Sequence, residues 1–421
     1  MKSKKILVWF RNDLRLHDNE MLVEAIAKSD SILPVYFFDP RHFEQQDQTD
    51  TGAGSSRAQF LIESVAALRE SLKKTGGNLL IIKGKPEDHI PQLVAQYEIA
   101  EVYHHREVAT KETDISGNVE DLLWKLKVNL KHFIGHTLYN KEDLPFPIKD
   151  IPDIFSQFKK KTERDAIVKD CFSAPEIISF VEVAEWGDLP EYLSAAESGP
   201  HGGEEEGIRH LEDLFREGAG IYARTGKAHA DKPVFSSRLS PWLAVGCLSP
   251  RKVYWAVKAA ERNFGSNSNF NNLILGLLWR DYFRFMFKKH NGNFFRDKGV
   301  NIENPLSLEE QSGLLQQWKD GSTGHILIDK YMNELNTTGF ISHPARLLVA
   351  TFLIYVLKIS WTNGASYFEE KLIDYSPASN WGNWANVAAG GKDPRAKNTF
   401  DLDKQIKMLD LEVDDSFAVI S

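Results

Sequence analysis

Along the first 140 residues, short continuously apolar runs alternate with segments of helical period. ILVWF (6–10), SILPVYFF (31–38), NLLIIKG (78–84), AEVYHH (100–105) and LKHFIGHTLY (130–139) are rich in β-branched and aromatic residues and predict strands. Between them NEMLVEAIAKS (19–29), SRAQFLIESVAALRESLKK (56–74), PEDHIPQLVAQYE (86–98) and NVEDLLWKLK (118–127) space their apolar residues as helices do. Repeated strand and helix order predicts a parallel sheet covered on both faces, with a ligand crevice at its strand ends. No GxGxxG follows the first strand, which disfavours a nicotinamide-dependent enzyme; TGAGSS (51–56) follows no strand and reads as loop.

The pattern changes after residue 140. Six prolines, at 145, 147, 152, 175, 190 and 200, lead into ESGPHGGEEEG and mark a connection that is long but partly helical. After Gly207 the helical period dominates: 208–218, 240–264, 272–289, 329–335, 343–358 and 365–373. The expected organisation is an α/β domain over 1–140, a linker over 141–206, an all-α domain over 207–400 and a mixed acidic and apolar tail over 401–421.

Bulk composition narrows the class. With 421 residues and 42% hydrophobic content, the chain can bury a core large enough for two or three domains. No apolar run reaches the ~20 residues of a membrane helix, and the basic tip and apolar pentamer at the start are too short for a signal peptide. A cytoplasmic, monomeric protein is expected. Cys171 and Cys247 stand in unrelated contexts, so neither a disulfide framework nor a CxxC metal site is present. His104 and His105 are neighbours in a predicted strand and point to opposite faces, a poor start for a shared metal. No metal is expected.

A net charge of −8 excludes a protein coated in positive charge but leaves room for a local basic surface. From Trp279 to Lys298, WRDYFRFMFKKHNGNFFRDK interleaves aromatics with six basic residues against two aspartates. That mixture suits a nucleic-acid surface, with Arg284 and Lys288 as phosphate contacts, and equally a core helix with one solvated basic face. Near the end, LIDYSPASNWGNWANVAAGG (372–391) sets Asn380, Asn383 and Asn386 three apart with Trp381 and Trp384 beside them. Ser376 as cap and Pro377 as first residue predict a helix there, with the amides on one stripe and the indoles on another.

ILVWFRNDLRLHDNE at the start, SSRLSPWLAVGCLSPRKVY in the middle and NWGNW near the end, in that order, resemble the cryptochrome and photolyase family. SSRLSPWLAVGCLSP and LIDYSPASNWGNWANVAAGGKDPR are most similar to its DASH branch. The resemblance covers nearly the whole chain. It implies a Rossmann-like antenna domain that can carry 5,10-methenyltetrahydrofolate, joined to a helical domain that buries FAD.

It also implies roles, residue by residue. Ser236, Ser237, Leu239 and Ser240 match the family's phosphate loop, at a helix start where free N–H groups favour an anion, although plain helix capping would use the same residue types. Tyr222 matches a contact on the phosphate side. Asn380 matches the asparagine facing the flavin N5, and Arg346 with Asp374 a buried pair beside the ring. Trp279, Arg280 and Ser376 complete the implied cofactor set. Trp384 matches the flavin-proximal indole and Trp361 the next one outward, an electron path if they are more than core residues. Glu107 matches an acidic contact to the folate, or is a strand-end glutamate facing solvent.

Departures from the family bear on repair of pyrimidine dimers, for which the dimer flipped out of the duplex must be gripped by polar contacts. Gly276 stands where a glutamate is expected, His343 and Pro344 replace an asparagine and an arginine, and Asn386 replaces a pocket aromatic beside Trp279. Each unmade polar contact weakens binding by roughly 1–3 kcal/mol. Ser376 replaces an aspartate near the flavin, and Leu308 a third, distal tryptophan, so the electron path stops at Trp361 or leaves by a tyrosine such as Tyr355. The expected function is a blue-light FAD photoreceptor that binds DNA; the alternatives are a dimer photolyase acting on single-stranded DNA, and a scaffold without flavin.

Overall fold

The structure, a computed structural model, describes residues 3–43, 55–191, 199–216, 220–222, 236–290, 308–388 and 406. Residues 51–54 of TGAGSS and nearly all of the 401–421 tail lie outside them, while Ser55 and Ser56, read as loop, begin a helix.

Five parallel strands form one sheet: β1 (Lys5–Phe10), β2 (Ser31–Phe38), β3 (Leu80–Lys83), β4 (Glu101–His105) and β5 (Asn129–Phe133), in the order β3-β2-β1-β4-β5. Helices α1 (Glu20–Lys28), α2 (Pro40–Phe43), α3 (Ser55–Lys74), α4 (Pro86–Tyr97) and α5 (Thr110–Lys125) make the crossovers. Because side chains alternate across a strand, Leu7 and Trp9 enter a core with residues of α4 and α5, while Ile6, Val8 and Phe10 enter another on the opposite face. That second core runs on without a break into the helical part of the chain, so the two halves share apolar packing. β5 ends at Phe133, short of the predicted Tyr139, because Gly135 and the residues after it turn across the sheet end.

The connection holds α6 (Phe155–Asp165) and then an extended run that lies along the sheet, with Ile32 bridged to Phe180. The helical half comprises α7 (Glu204–Leu214), α8 (Ser240–Ala244), α9 (Pro250–Phe264), α10 (Ser268–His290), α11 (Leu308–Asp320), α12 (Ile326–Thr338), α13 (His343–Thr351), α14 (Trp361–Lys371) and α15 (Pro377–Ala388). The run 240–264 read as one helix is two. Gly246, at φ +73°, turns the chain where a Cβ would meet Asn12, and Ser249 then caps α9 through Lys252 N. α13 passes into a π-helical turn over Phe352–Val356.

Two of the sequence motifs meet at this junction. Arg15 is fully buried and donates to the carbonyls of His17, Asp18, Gly135 and Gly246; Arg251 clasps Asp18 with both oxygens, at 2.5 and 3.0 Å. Glu204 accepts from the backbone of Leu16 and His17. RNDLRLHD and SPWLAVGCLSP are therefore two sides of one interdomain seam.

Candidate functional site

A cleft opens between α13, α14 and α15, lined among others by His343, Arg346, Phe368, Asp374, Ser376, Asn380, Asn383 and Trp384. α15 starts at Pro377 as its residue types predict, and Asn380 N donates to Ser376 O. Its amides do not form one stripe. A spacing of three drifts round a helix by about 60° per step, so Asn380 and Asn383 share the cavity face with Trp384, while Asn386 is carried out to solvent. Trp381 also faces away and donates its indole N–H to Glu369.

Charge and hydrogen bonding make the cavity wall specific. Arg346 donates to Asp374 Oδ2 at 2.8 Å and to Ile341 O, and its guanidinium lies 5.3 Å from the Phe340 ring centre. Asp374 Oδ1 is buried without any partner. Such an oxygen costs about 1–3 kcal/mol unless a donor completes it, and an N–H or O–H entering the cavity would complete it. Asn380 donates to Ala365 O at 2.9 Å, which orients its amide. His343 stands exposed at the rim of this wall, where the surrounding chain and then the Arg346 charge lower its pKa. Trp384 fits against Gly364, where a Cβ would lie 2.2 Å from its Cη2, and its ring meets Phe368 and Trp318. A flat polycycle with an imide N–H and carbonyl edges, the ring of FAD, suits these donors and acceptors.

Other residues expected at the cofactor lie elsewhere. Tyr222 gives its hydroxyl to Phe215 O and packs on Phe264 and Phe270. Ser236 and Ser237 are accessible, Ser237 O pairs with His210, and Leu239 is the buried residue before α8, which Ser240 opens. Arg280 is not on the cavity wall: it donates to His136 O and Leu243 O across the seam, with its pKa pushed down to about 10 by burial and the nearby Arg284. Trp279 is stacked face to face on Phe155, with ring centres 3.5 Å apart, so α6 covers the indole. Gly276 lies on an exposed part of α10 with open space around it. The distal position, Leu308, begins α11.

The basic aromatic segment requires a correction. Its described part, Trp279–His290, is the buried side of α10, and it faces the α/β domain rather than solvent. Asp281 accepts from Leu138 N and Tyr139 N, Lys289 donates to Ile151 O and Asp153, and Arg284 pairs with Glu107 Oε2 at 3.0 Å. Arg284 is 8% exposed, so it is an interdomain clasp and not a phosphate contact. Lys288 is half-buried on the wall of a second cavity, with Arg106, Glu107, Thr137 and Arg284. Glu107 is likewise buried rather than facing solvent, and accepts from Asn12 at 3.0 Å. Burial alone would raise its pKa; His136, Arg284, Arg11 and Asn12 hold it well below the usual carboxylate range. His136 is itself pushed down to about 3, so at neutral pH the arginines carry that effect.

Sequence reasoning missed two residues beside the first cavity. Arg57 reaches from α3 to the carbonyls of Glu369 and Leu372 and covers the Tyr375 ring at 5.2 Å, holding the segment that bears Asp374 and Ser376. Glu369 binds Trp381 from α14. Only a helix-period reading of 365–373 against 377–388 could have paired them.

Comparison with known proteins matches these findings. The family described as DNA photolyase matches residues 6–176, and the FAD binding domain of DNA photolyase matches residues 273–414. The Cryptochrome DASH of Synechocystis sp. is 40% identical over 419 residues, which cover 96% of this chain and 85% of the relative. The chloroplastic/mitochondrial Cryptochrome DASH of Arabidopsis thaliana is 36% identical over 96% of this chain and 74% of its own. The crystal structure of the Synechocystis sp. PCC6803 cryptochrome superposes with a TM-score of 0.87, covering 97% of this chain and 87% of that one. Near-full-length likeness at this identity shows that the chain belongs to the photolyase and cryptochrome family, as a FAD flavoprotein of its cryptochrome DASH branch.

Proposed function

We propose that the cavity between α13, α14 and α15 holds the flavin ring of a blue-light photoreceptor, and that dimer repair is at most a weak side activity. The observation that carries the placement is Asp374: one oxygen is held by Arg346 and the other is buried, unpartnered and on the cavity wall. FAD bound there supplies blue-light absorption and one-electron chemistry. Asp374 would accept from the ring edge, Arg346 would offset the added charge, and Asn380, fixed by Ala365, would present its amide without adding charge. Trp384 and, one turn from its Gly364 seat, Trp361 would be the oxidisable indoles leading outward. Ser236, Ser237 and Ser240 remain the proposed phosphate contacts, with Tyr222 behind them.

Photoreceptor is preferred to photolyase because the dimer-gripping positions do not converge. Trp279 is covered by Phe155, Asn386 points to solvent, Gly276 has no side chain to offer, and His343 is held neutral. The test is blue-light bleaching of the purified protein with a thiol reductant, run beside a dimer-repair assay on single-stranded DNA. Bleaching that depends on Trp384, without dimer loss, is the expected outcome. Efficient dimer loss in light makes it a photolyase, and a colourless protein that takes up no FAD makes it a scaffold.

The second cavity is the proposed place of a folate-type antenna, against Glu107. The polar wall, where Thr137 Oγ1 is buried without a hydrogen-bond partner, supports a ligand there. DNA stays in the reading as an electrostatic partner on the face of the first cavity, where Arg238 is exposed and lies 5.6 Å from the Phe340 ring centre. Its affinity for single-stranded DNA should fall steeply with salt. Among the described residues no helix is long and apolar enough to cross a membrane. A cytoplasmic monomer is the proposed state, tested by fractionation and light scattering.

A further inference from the structure

With Leu308 in place of a distal tryptophan, the outward electron path needs another exit, and the structure supplies one on the outer face of α15. Trp361 is 4% exposed and packs edge to face on Trp381, with ring centres 5.7 Å apart. Trp381 is half-buried and donates its N–H to Glu369 Oε2 at 3.1 Å. Tyr375 stands two residues before α15 with its ring 5.2 Å from the Arg57 guanidinium, and Arg57 also donates to Glu369 O, so the phenol belongs to the same cluster, where burial and then the Glu369 charge raise its pKa. Arg57 covers the Tyr375 ring, and Lys111 and Glu112 face the same carboxylate from α5, Lys111 at 3.6 Å. Two indoles, a phenol and a carboxylate thus form an unbroken series from the buried Trp361 to the half-buried Tyr375.

We infer that Trp381 and Tyr375 complete the electron path, with Tyr375 as terminal donor and Glu369 as acceptor of its proton. This rests on the proposed photoreduction through Trp384 and Trp361. Oxidised Trp361 takes one electron from Trp381, and oxidised Trp381 takes one from Tyr375. The phenol O–H breaks as a carboxyl O–H forms on Glu369, which leaves a neutral tyrosyl radical and restores both indoles. A small thiol in solution gives a hydrogen atom, electron and proton together, to Tyr375 and becomes a thiyl radical, and Glu369 releases its proton to water. The Arg57 guanidinium over the ring disfavours a phenol cation, so electron and proton leave together. Glu369 is the base because it already accepts from the neighbouring indole.

Pulse radiolysis tests this in the dark on the purified flavoprotein. Azide radicals oxidise indoles, and the decay of indolyl absorption into tyrosyl absorption reports transfer between the two. The wild-type protein should show a fast first-order phase that Tyr375→Phe and Trp381→Phe lose and that Glu369→Gln slows, with the solvent isotope effect also lost in Glu369→Gln. Unchanged flavin absorption and melting temperature in Tyr375→Phe, which keeps the ring under Arg57, would show that folding is intact. Under blue light with a spin probe, the same variant should lose its tyrosyl signal. Equal phases in wild type and Tyr375→Phe overturn the relay. A phase in radiolysis with no radical in blue light supports the relay and overturns photoreduction, so the two failures are distinct.

Discussion

A Cβ placed on Gly364 would lie 2.2 Å from Trp384 Cη2 and 2.7 Å from Leu353 Cδ2, so the indole can hold its position only against a bare backbone. Gly364→Ala should push Trp384 into the cavity, cost about 1–3 kcal/mol as overpacking does, and lower the FAD content of the purified protein. Absorbance and thermal melting check both, and wild-type FAD content would show that the wall yields. Gly276 is the opposite case, exposed in the interior of α10 with nothing within 4 Å. Gly276→Glu should raise stability by about 0.5–1 kcal/mol, since it removes only backbone freedom. At Asp374 the consequence is electrostatic. Asp374→Ala leaves Arg346 facing the cavity unpaired, and the protein should be purified without bound flavin; titration with FAD reads the loss.

At the scale of elements, α10 decides how the basic segment is to be understood. Arg284→Ala should leave the salt dependence of DNA binding unchanged while lowering the melting temperature, because it strands the buried Glu107 charge at a cost of about 3–5 kcal/mol. A flattened salt slope at unchanged stability would return the segment to the surface. Sequence patterning could not make this distinction. Arg280, Arg284, Lys288 and Lys289 recur with helical spacing, and that spacing is the same for a face that meets phosphate and a face that meets the carbonyls and carboxylates of a second domain. The sheet was legible because continuous runs such as ILVWF bury both faces of a strand, which local pattern alone reveals. α15 was legible in its boundaries, since Ser376 and Pro377 act locally. Its faces were not, because the 60° drift between Asn380, Asn383 and Asn386 matters only once a neighbour fixes which side is inside. Arg57, Glu369 and the partner of Trp381 were invisible for the same reason: these contacts join different elements.

For the molecule as a whole, the seam between the domains makes stability depend on pH. His136 has its folded pKa near 3, below the ordinary 6.5, so its contribution is fully present above 6.5 and is lost as pH falls toward 3. Glu107, also held low, adds a loss of the same sign as its carboxylate is protonated. The melting temperature should therefore fall through this range, and His136→Gln, which cannot titrate, should flatten the acid side of the curve. A profile unchanged in the variant would place the acid sensitivity outside the seam. The partners in this seam are also far apart in the chain: Arg15 waits for Gly246 and Asp18 for Arg251, 231 and 233 residues later. A ribosome adding ~5–20 residues per second delivers those partners on the order of tens of seconds after the sheet's first strand has emerged. During that interval Arg15 has only the carbonyls of His17, Asp18 and Gly135, and Asp18 lacks its cation, so the seam face of the α/β half stays incomplete until the helical half is made, and synthesis itself exposes this protein to capture by chaperones.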